Sequence, residues 1–507
     1  MKNIRKRQEL GGALICALGA LALYLLTLAP TVQGFDSAEL TMGAFDLGFV
    51  HPSGYPLYLV LGRLFSRLPI GDVGWRLNLM SAIFGALAGG LLFSLIYRLG
   101  KDFGSALVAT ALFCSAPLYW SQAIRAEVYS LHIFLMAAAL YIWLLAHQKE
   151  NRRLYILGFV LLGLGLANHL TSVLLWAAFL AAATWITPKL RRATLPAALV
   201  GLALAGLVYL YFPWRAQAPL QVDYIRPYFH IDLATPGGLW WMVSGKAFQC
   251  LLLPIGRAYN PWGEIIKLAA LIWEQSLGFG LLLAAWGWLT QNKENRRWNR
   301  TLTIYFLGNL VMFVAYNAID KEVMFLPIYL VISIWAGSGI INLANWIKEA
   351  LRKVELSQGR ALPINTLLNI ILGLVILAGI LSDWRTVSLR EDRRAYDFAG
   401  KVLDQVGPEA TIVNHWATAS VFDYLRIVEG RRPDVANINV DFYFLAIQQD
   451  CQPVTNQTLV ASGWIDQLVD LTEQERLCFI EPLHGLPDGF EWQEQGPCWG
   501  LVAEDGQ

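Results

Sequence analysis

Residues 34–58 read GFDSAELTMGAFDLGFVHPSGYPLY, and they follow directly on an apolar run at 9–29. About 20 predominantly apolar residues suffice for a helix to cross a bilayer. The stretch after that run holds three carboxylates, Asp36, Glu39 and Asp46, and one imidazole, His51. Asp36-Ser37-Ala38-Glu39 fits a helix N-cap with a capping glutamate at the third position. Gly48 suits the C-cap of the same short helix, which leaves Asp46 on a solvated face. Residues before proline avoid the α region and Gly54 permits positive φ, so His51–Pro56 turns sharply. A turn alone does not call for histidine. The segment therefore reads as a short surface helix with functional acids, followed by a turn that brings the chain back.

The rest of the chain sets that segment at a membrane. Of 507 residues, 56% are hydrophobic and 15% charged, whereas soluble domains carry nearer a quarter charged. A net charge of +1 gives no nucleic-acid surface. Eleven apolar segments stand near 9–29, 77–97, 104–122, 128–146, 154–168, 170–187, 194–213, 270–290, 301–317, 323–346 and 364–382. The expected fold is an α-helical polytopic membrane protein of about 11 transmembrane helices with a small C-terminal α/β domain. The first anchor helix follows Lys2, Arg5, Lys6 and Arg7 and lacks a small-residue cleavage site. Basic residues then mark alternate short loops: Arg98 and Lys101; Lys149, Arg152 and Arg153; Lys189, Arg191 and Arg192; Lys293, Arg296, Arg297 and Arg300; Lys348, Arg352, Lys353 and Arg360. The positive-inside rule makes these cytoplasmic, with the N-terminus. An odd helix count sends the tail to the other side, in a bacterial inner membrane on the favoured reading.

The expected division is a membrane domain over 1–382, with outer loops at 30–76 and 214–265, and an extracytoplasmic α/β domain over 383–507. In the tail, ATIVNH (410–415), DVANINV (434–440) and LCFIEP (477–482) have strand length. AYDFAGKVLDQV ahead of the first and ATASVFDYLRIVEG between the first two are amphipathic helical patterns. Of six cysteines, Cys16 and Cys114 lie in apolar helices. Cys250, Cys451, Cys478 and Cys498 lie outside, where a disulfide among the last three is open and unassigned.

The polar chemistry gathers on one face. The first outer loop supplies Asp36, Glu39 and His51; SQAIRAEVYSLH supplies Arg125 and Glu127; GLANHLTS supplies His169; YFPWRAQ supplies Arg215; YNAIDKEVMFLP supplies Asp320, Lys321 and Glu322. Charges at a membrane edge are costly and usually mark function. Each has a plainer reading: Arg125 and Glu127 could pair with each other, and His169 could be a packing histidine. In the long loop, Thr235 is an N-cap ahead of Pro236, and Trp240 and Trp241 suit an interfacial helix.

These residues resemble a known family. GFDSAEL, LGFVHPSGYPLY, RLNLMSA, RAEVYSLH, NHLTS, YFPWRA, YNAIDKEVMFLP and VEGRRPDVANIN occur in the order seen in DUF2723-type polytopic membrane proteins of the GT-C glycosyltransferase superfamily, similar to protein O-mannosyltransferase-like enzymes. The family more often shows Gly-Asp where Phe35-Asp36 stands and a second proline where Ser53 stands; neither departure removes an ionisable group. The resemblance implies a polyprenyl-phosphate sugar donor and an acidic catalytic residue in the first outer loop, which places Asp36 in that role with Glu39 close behind. An inverting transfer needs a carboxylate to take the acceptor hydroxyl proton and cations to steady the phosphate leaving group. His51, Arg125, Glu127, His169, Arg215, Asp320 and Lys321 are the candidates for donor phosphate or sugar, Arg215 first because guanidinium binds phosphate bidentately. A divalent metal on Asp36, Glu39 and His51 is the less favoured reading, so none is assigned. The partners are the lipid bilayer, the lipid-linked donor and a protein, glycan or lipid acceptor, with no nucleic acid. Two rivals are a transporter or flippase of a lipid-linked sugar and a non-catalytic scaffold. The first expects midplane sites in repeated halves, and no internal repeat is present.

Overall fold

The computed structural model describes residues 2–252, 259–291, 295–318, 320–353, 363–448, 477–482 and 490–503. α1 (Lys2–Thr27) and α4 (Val73–Gly100) run antiparallel. Glu9 of α1 pairs with Arg98 of α4 at 2.6 Å near one end. Near the other, the Asn78 amide donates to the Ala29 and Thr31 carbonyls at 2.9 and 3.0 Å. Two short helices fill the connection, α2 (Asp36–Asp46) and α3 (Pro56–Ser66). α5 (Phe103–Cys114), α6 (Pro117–Ala123), α7 (Val128–Lys149) and α8 (Arg152–Asn168) follow, then α9 (Val173–Ala182) after a single 3₁₀ turn.

Every apolar segment read from the sequence has a helical counterpart, but fewer are long enough to cross a bilayer alone. Six described helices are, and eight if each of two bent pairs counts as one span. The third expected segment breaks into α5 and α6, bent by 69° where Pro117 starts a new helix. The eighth breaks into Pro261–Gln275 and Phe279–Leu289, bent by 100°. Gly278 sits in that break at φ +65. α8 has 17 residues, about 25 Å of helix against a hydrocarbon core of about 30 Å. α9 has only 10.

The bundle is apolar outside as well as inside, as a membrane protein must be where its solvent is lipid. Leu14 and Leu18 on α1, Leu199 and Leu202 on Thr194–Tyr209, and Ile370 and Leu374 on Ile364–Val387 are exposed. Trp120, Trp143, Tyr24 and Tyr155 fill the interior. Small residues let helix backbones touch. A Cβ added at Gly287 would lie 2.0 Å from the Trp335 carbonyl oxygen.

After Ile364–Val387 come the helices Arg394–Gln405, Trp416–Ile427 and Val440–Gln448 and a five-stranded sheet. Its strands are β1 (Thr411–Asn414), β2 (Ala436–Asn439), β3 (Leu477–Phe479), β4 (Phe490–Gln495) and β5 (Cys498–Ala503), ordered β2-β1-β3-β5-β4. β1 pairs in parallel with β2 and β3, and β4 pairs antiparallel with β5. The three strands and two helices read from the tail are present. The hairpin β4–β5 and the helix Val440–Gln448 are additions, since the polar run EWQEQ lacks the apolar alternation that announces a strand. Cys478 and Cys498 form a disulfide joining β3 to β5. Cys451 lies outside the described residues.

Candidate active site

α2 carries the site, and its construction differs from the capping expectation. Asp36 is the first residue of the helix rather than its cap; Phe35 precedes it at φ 57 and makes no side-chain cap bond. Glu39 is fully buried, and its carboxylate turns to His51 instead of back to the helix start. It accepts the His51 backbone N–H at 2.6 Å and lies 3.1 Å from His51 Nδ1. A charge-assisted pair outcompetes a neutral cap. His51 Nε2 is 2.8 Å from the Tyr55 hydroxyl and 3.8 Å from Asp36 Oδ2. Tyr55 sits at φ 48 at the head of α3, and Gly54 before it takes φ +83 as expected. Left-handed non-glycine residues cost about 1–3 kcal/mol each and cluster at functional sites. The far end of α2 departs likewise. The left-handed cap is Leu47, not Gly48. At Gly48 a Cβ would meet the Val222 carbonyl at 2.4 Å. Asp46 is half-buried and also held: its Oδ2 accepts the backbone N–H groups of Gln221 and Val222 at 2.9 and 3.2 Å.

The charges around Asp36 explain its chemistry. Burial raises the Asp36 carboxyl to about 7, opposed by His51 and Arg125 and assisted by Glu39 and Asp320. Its side chain nevertheless keeps 18% exposure, so it remains reachable. For His51, burial works against protonation, but the Glu39 and Asp36 carboxylates outweigh it and hold the imidazole up at about 9. The centre is thus an imidazolium held by a buried carboxylate, beside an acid able to cycle its proton near neutrality.

Arg125 and Glu127 close one side. Arg125 Nε lies 3.5 Å from Glu127 Oε1. Both Arg125 Nε and Glu127 Oε2 are buried without a hydrogen-bond partner among the described residues. The plainer reading of this pair is met in part, yet it leaves polar atoms over. His169 joins through Tyr55, its ring stacked on the tyrosine at 6.0 Å and 13°. Asp320 acts electrostatically on both Asp36 and His51.

Two candidates are not brought in. Arg215 lies at the opposite end of α2, donating to the Leu47 and Asp46 carbonyls at 2.8 and 3.1 Å. Eleven residues of helix put it about 16 Å from Asp36. It caps α2 rather than facing the acid. Lys321 is buried among other partners: Glu264 at 2.6 Å and the Phe313 and Tyr316 carbonyls at 2.9 and 2.8 Å. In the long loop, Thr235 caps Pro236–Val243 by accepting the Gly238 N–H at 3.0 Å, as expected. Trp240 is exposed, whereas Trp241 is buried against Phe229.

Sequence reasoning missed Tyr55, although it sits in the HPSGYPLY block, and Tyr129 and His132, whose rings flank His169 at 5.4 Å. It also missed Trp416, whose ring lies 4.9 Å from that of His51. Asp36, Glu39 and His51 each offer an atom within 4.8 Å of the others, close enough to hold a metal ion. The donor set fits one poorly, because both His51 ring nitrogens already face oxygen partners, Glu39 and Tyr55.

The fold has solved counterparts. It matches the crystal structure of ArnT from Cupriavidus metallidurans bound to undecaprenyl phosphate, with a TM-score of 0.54 at 12% identity over 85% of this chain and 90% of that one. The apo form of that ArnT gives 0.52 at 11% identity over 86% and 91%. Residues 36–192 match the family model described as the protein O-mannosyl-transferase TMEM260 N-terminal domain. The chain is 28% identical over 468 residues to the protein O-mannosyl-transferase TMEM260 of Mus musculus, covering 85% of this chain and 62% of that protein. It is 23% identical over 491 residues to its namesake in Dictyostelium discoideum, covering 87% and 58%. The chain thus spans about three-fifths of the length of these relatives. Neither is named as a transporter.

Proposed function

We propose that this chain is a membrane glycosyltransferase that moves a sugar, mannose in the first instance, from a polyprenyl-phosphate donor to an acceptor hydroxyl on the face opposite the cytosol, with inversion. The likeness to enzymes named O-mannosyl-transferases and to an ArnT solved with undecaprenyl phosphate supports this reading. The observation that carries it is the Asp36–His51–Glu39 cluster, in which one carboxylate stays reachable while the other holds an imidazolium.

In the proposed reaction, the Asp36 carboxylate takes the proton of the acceptor hydroxyl as its oxygen attacks the anomeric carbon. The anomeric C–O bond to phosphate breaks, and its electron pair leaves on the phosphate oxygen. Arg125 and the His51 imidazolium supply positive charge for that oxygen, and Glu127 orients Arg125. Arg215 takes no part. General-base help of this kind is worth about 10²–10⁴ in rate.

The test is transfer by the purified protein from a mannosyl-phosphoryl polyprenol to a hydroxyl peptide, read as released polyprenyl phosphate and peptide mass gain. Asp36→Asn is expected to fold normally and to lose transfer by at least about a hundredfold. Movement of intact donor across vesicles without cleavage would replace the reading with transport.

A further inference from the structure

The C-terminal unit is built into the site. Phe35, the residue before Asp36, donates its N–H to the Ala417 carbonyl at 3.3 Å and accepts the Ser420 hydroxyl at 2.9 Å. The approach is so close that a Cβ on Gly34 would lie 2.3 Å from the Ala417 oxygen. From the long loop, the Tyr224 hydroxyl donates to Asp423 at 2.7 Å, and Tyr228 accepts the Asn439 N–H at 3.0 Å. Two loops thus fix the start of the helix Trp416–Ile427 over α2.

That start delivers Trp416. Its ring sits 4.9 Å from His51 at 70° and 4.9 Å from Phe442. Its indole Nε1 is buried with no hydrogen-bond partner among the described residues. Burying such a donor unpaired costs about 1–3 kcal/mol, so its place beside His51 calls for an acceptor atom. Asp441 fixes it there, accepting the Trp416 backbone N–H at 2.8 Å and lying 2.8 Å from His415 Nδ1. His415 Nε2 is 3.7 Å from Glu481. His415, Asp441 and Glu481 stand just beyond the carboxyl ends of β1, β2 and β3. Open α/β sheets take ligands in the crevice outside those ends. Here the crevice adjoins Asp36.

We propose that the carboxyl edge of this sheet is the acceptor wall of the site, with Trp416 donating its indole N–H to a hydroxyl-bearing polypeptide and His415, Asp441 and Glu481 receiving the residues that flank the acceptor hydroxyl. The proposal rests on the glycosyltransferase reading and names its acceptor side. Two carboxylates against one imidazole favour a basic flanking residue. Glu481, with 60% of its side chain exposed, is within reach of it despite its 3.7 Å approach to His415.

The experiment uses the full chain with a mannosyl-phosphoryl polyprenol and serine peptides flanked by lysine or by glutamate. Trp416→Phe keeps an aromatic ring against His51 but removes the N–H together with the five-membered half of the indole. Its acceptor KM is expected to rise about five- to tenfold, the size of one lost hydrogen bond, with donor KM unchanged and the protein still folded at the assay temperature. Glu481→Gln is expected to erase most of the preference for the lysine-flanked peptide. An unchanged acceptor KM in Trp416→Phe, or an equal rise in donor KM, would overturn the acceptor wall while leaving the transferase intact. Peptide affinity of the two proteins, measured without donor, separates the ideas. Weaker binding by Trp416→Phe upholds the wall even in a protein that cleaves no donor, an outcome that would count against the transferase alone.

Discussion

Replacing Glu39 by glutamine tests the electrostatic core of the proposed mechanism most directly. The carboxylate is fully buried and 3.1 Å from His51 Nδ1. A glutamine still accepts the His51 backbone N–H, so the turn keeps its anchor while the charge goes. In the native chain Asp36 must be ionised, and burial sets it at about 7. Activity therefore rises with pH through that value. His51 must be protonated and is held at about 9, so activity falls as pH passes it. The expected profile of kcat/KM is a plateau between the two.

Losing an opposite charge at this distance lowers an imidazole by about 1–3 pK units. Taking two, His51 in Glu39→Gln titrates near ~7 and is about one-tenth protonated at pH 8, against about nine-tenths in the native chain. The rate there drops roughly tenfold. Asp36 also loses a like-charged neighbour and ionises more readily, so the acid limb moves down too. The whole window slides toward acid, so the variant falls below native activity on the alkaline side and matches or exceeds it near pH 6. The assay is kcat/KM for donor from pH 5 to 10, with a thermal melt to show that the fold is kept. An alkaline limb that stays in place or moves up would refute the claim that Glu39 holds His51 charged.

The structure also separates two arginines. Arg215→Ala is expected to lower stability by about 1–3 kcal/mol through two lost charge-assisted bonds and to leave donor KM near native, whereas Arg125→Ala raises donor KM at least tenfold; steady-state kinetics beside thermal melts checks both. Lys321→Met strands the Glu264 carboxylate and should cost about 3–5 kcal/mol of stability, read by denaturation in detergent, with its loss of activity tracking loss of folded protein. Chelator treatment of the purified chain should leave transfer unchanged, because Glu39 and Tyr55 already face both His51 nitrogens. Activity lost to chelation and restored by a divalent ion would replace the ion-pair description of the cluster.

What the sequence showed of this site, and what it hid, follow from the same physics. Ionisable groups at the ends of apolar helices are too costly to be casual, so Asp36, Glu39, His51, Arg125 and Glu127 could be read off, together with the end of the bundle they share. Which way each one points could not. Asp320 acts on Asp36 while its neighbour Lys321 turns to Glu264. Consecutive residues at a 3₁₀ turn diverge by about a third of a revolution, and only packing decides which faces the cavity. Glu39 looked like a cap because the local pattern fits one. A histidine 12 residues on claimed it instead. Arg215 was misplaced for a similar reason: a guanidinium near a membrane edge suits a phosphate, but the open carbonyls at the end of α2 are a closer demand. Trp416 left no trace at all. The contact that brings its helix to the site joins Ser420 to Phe35 across 385 residues, and no periodicity or motif in the tail points back that far. Local pattern therefore names the acids, while the partners that tune them come from chain folding over long separations. On the acceptor-wall reading, that is also where differences among relatives in the choice of acceptor should concentrate.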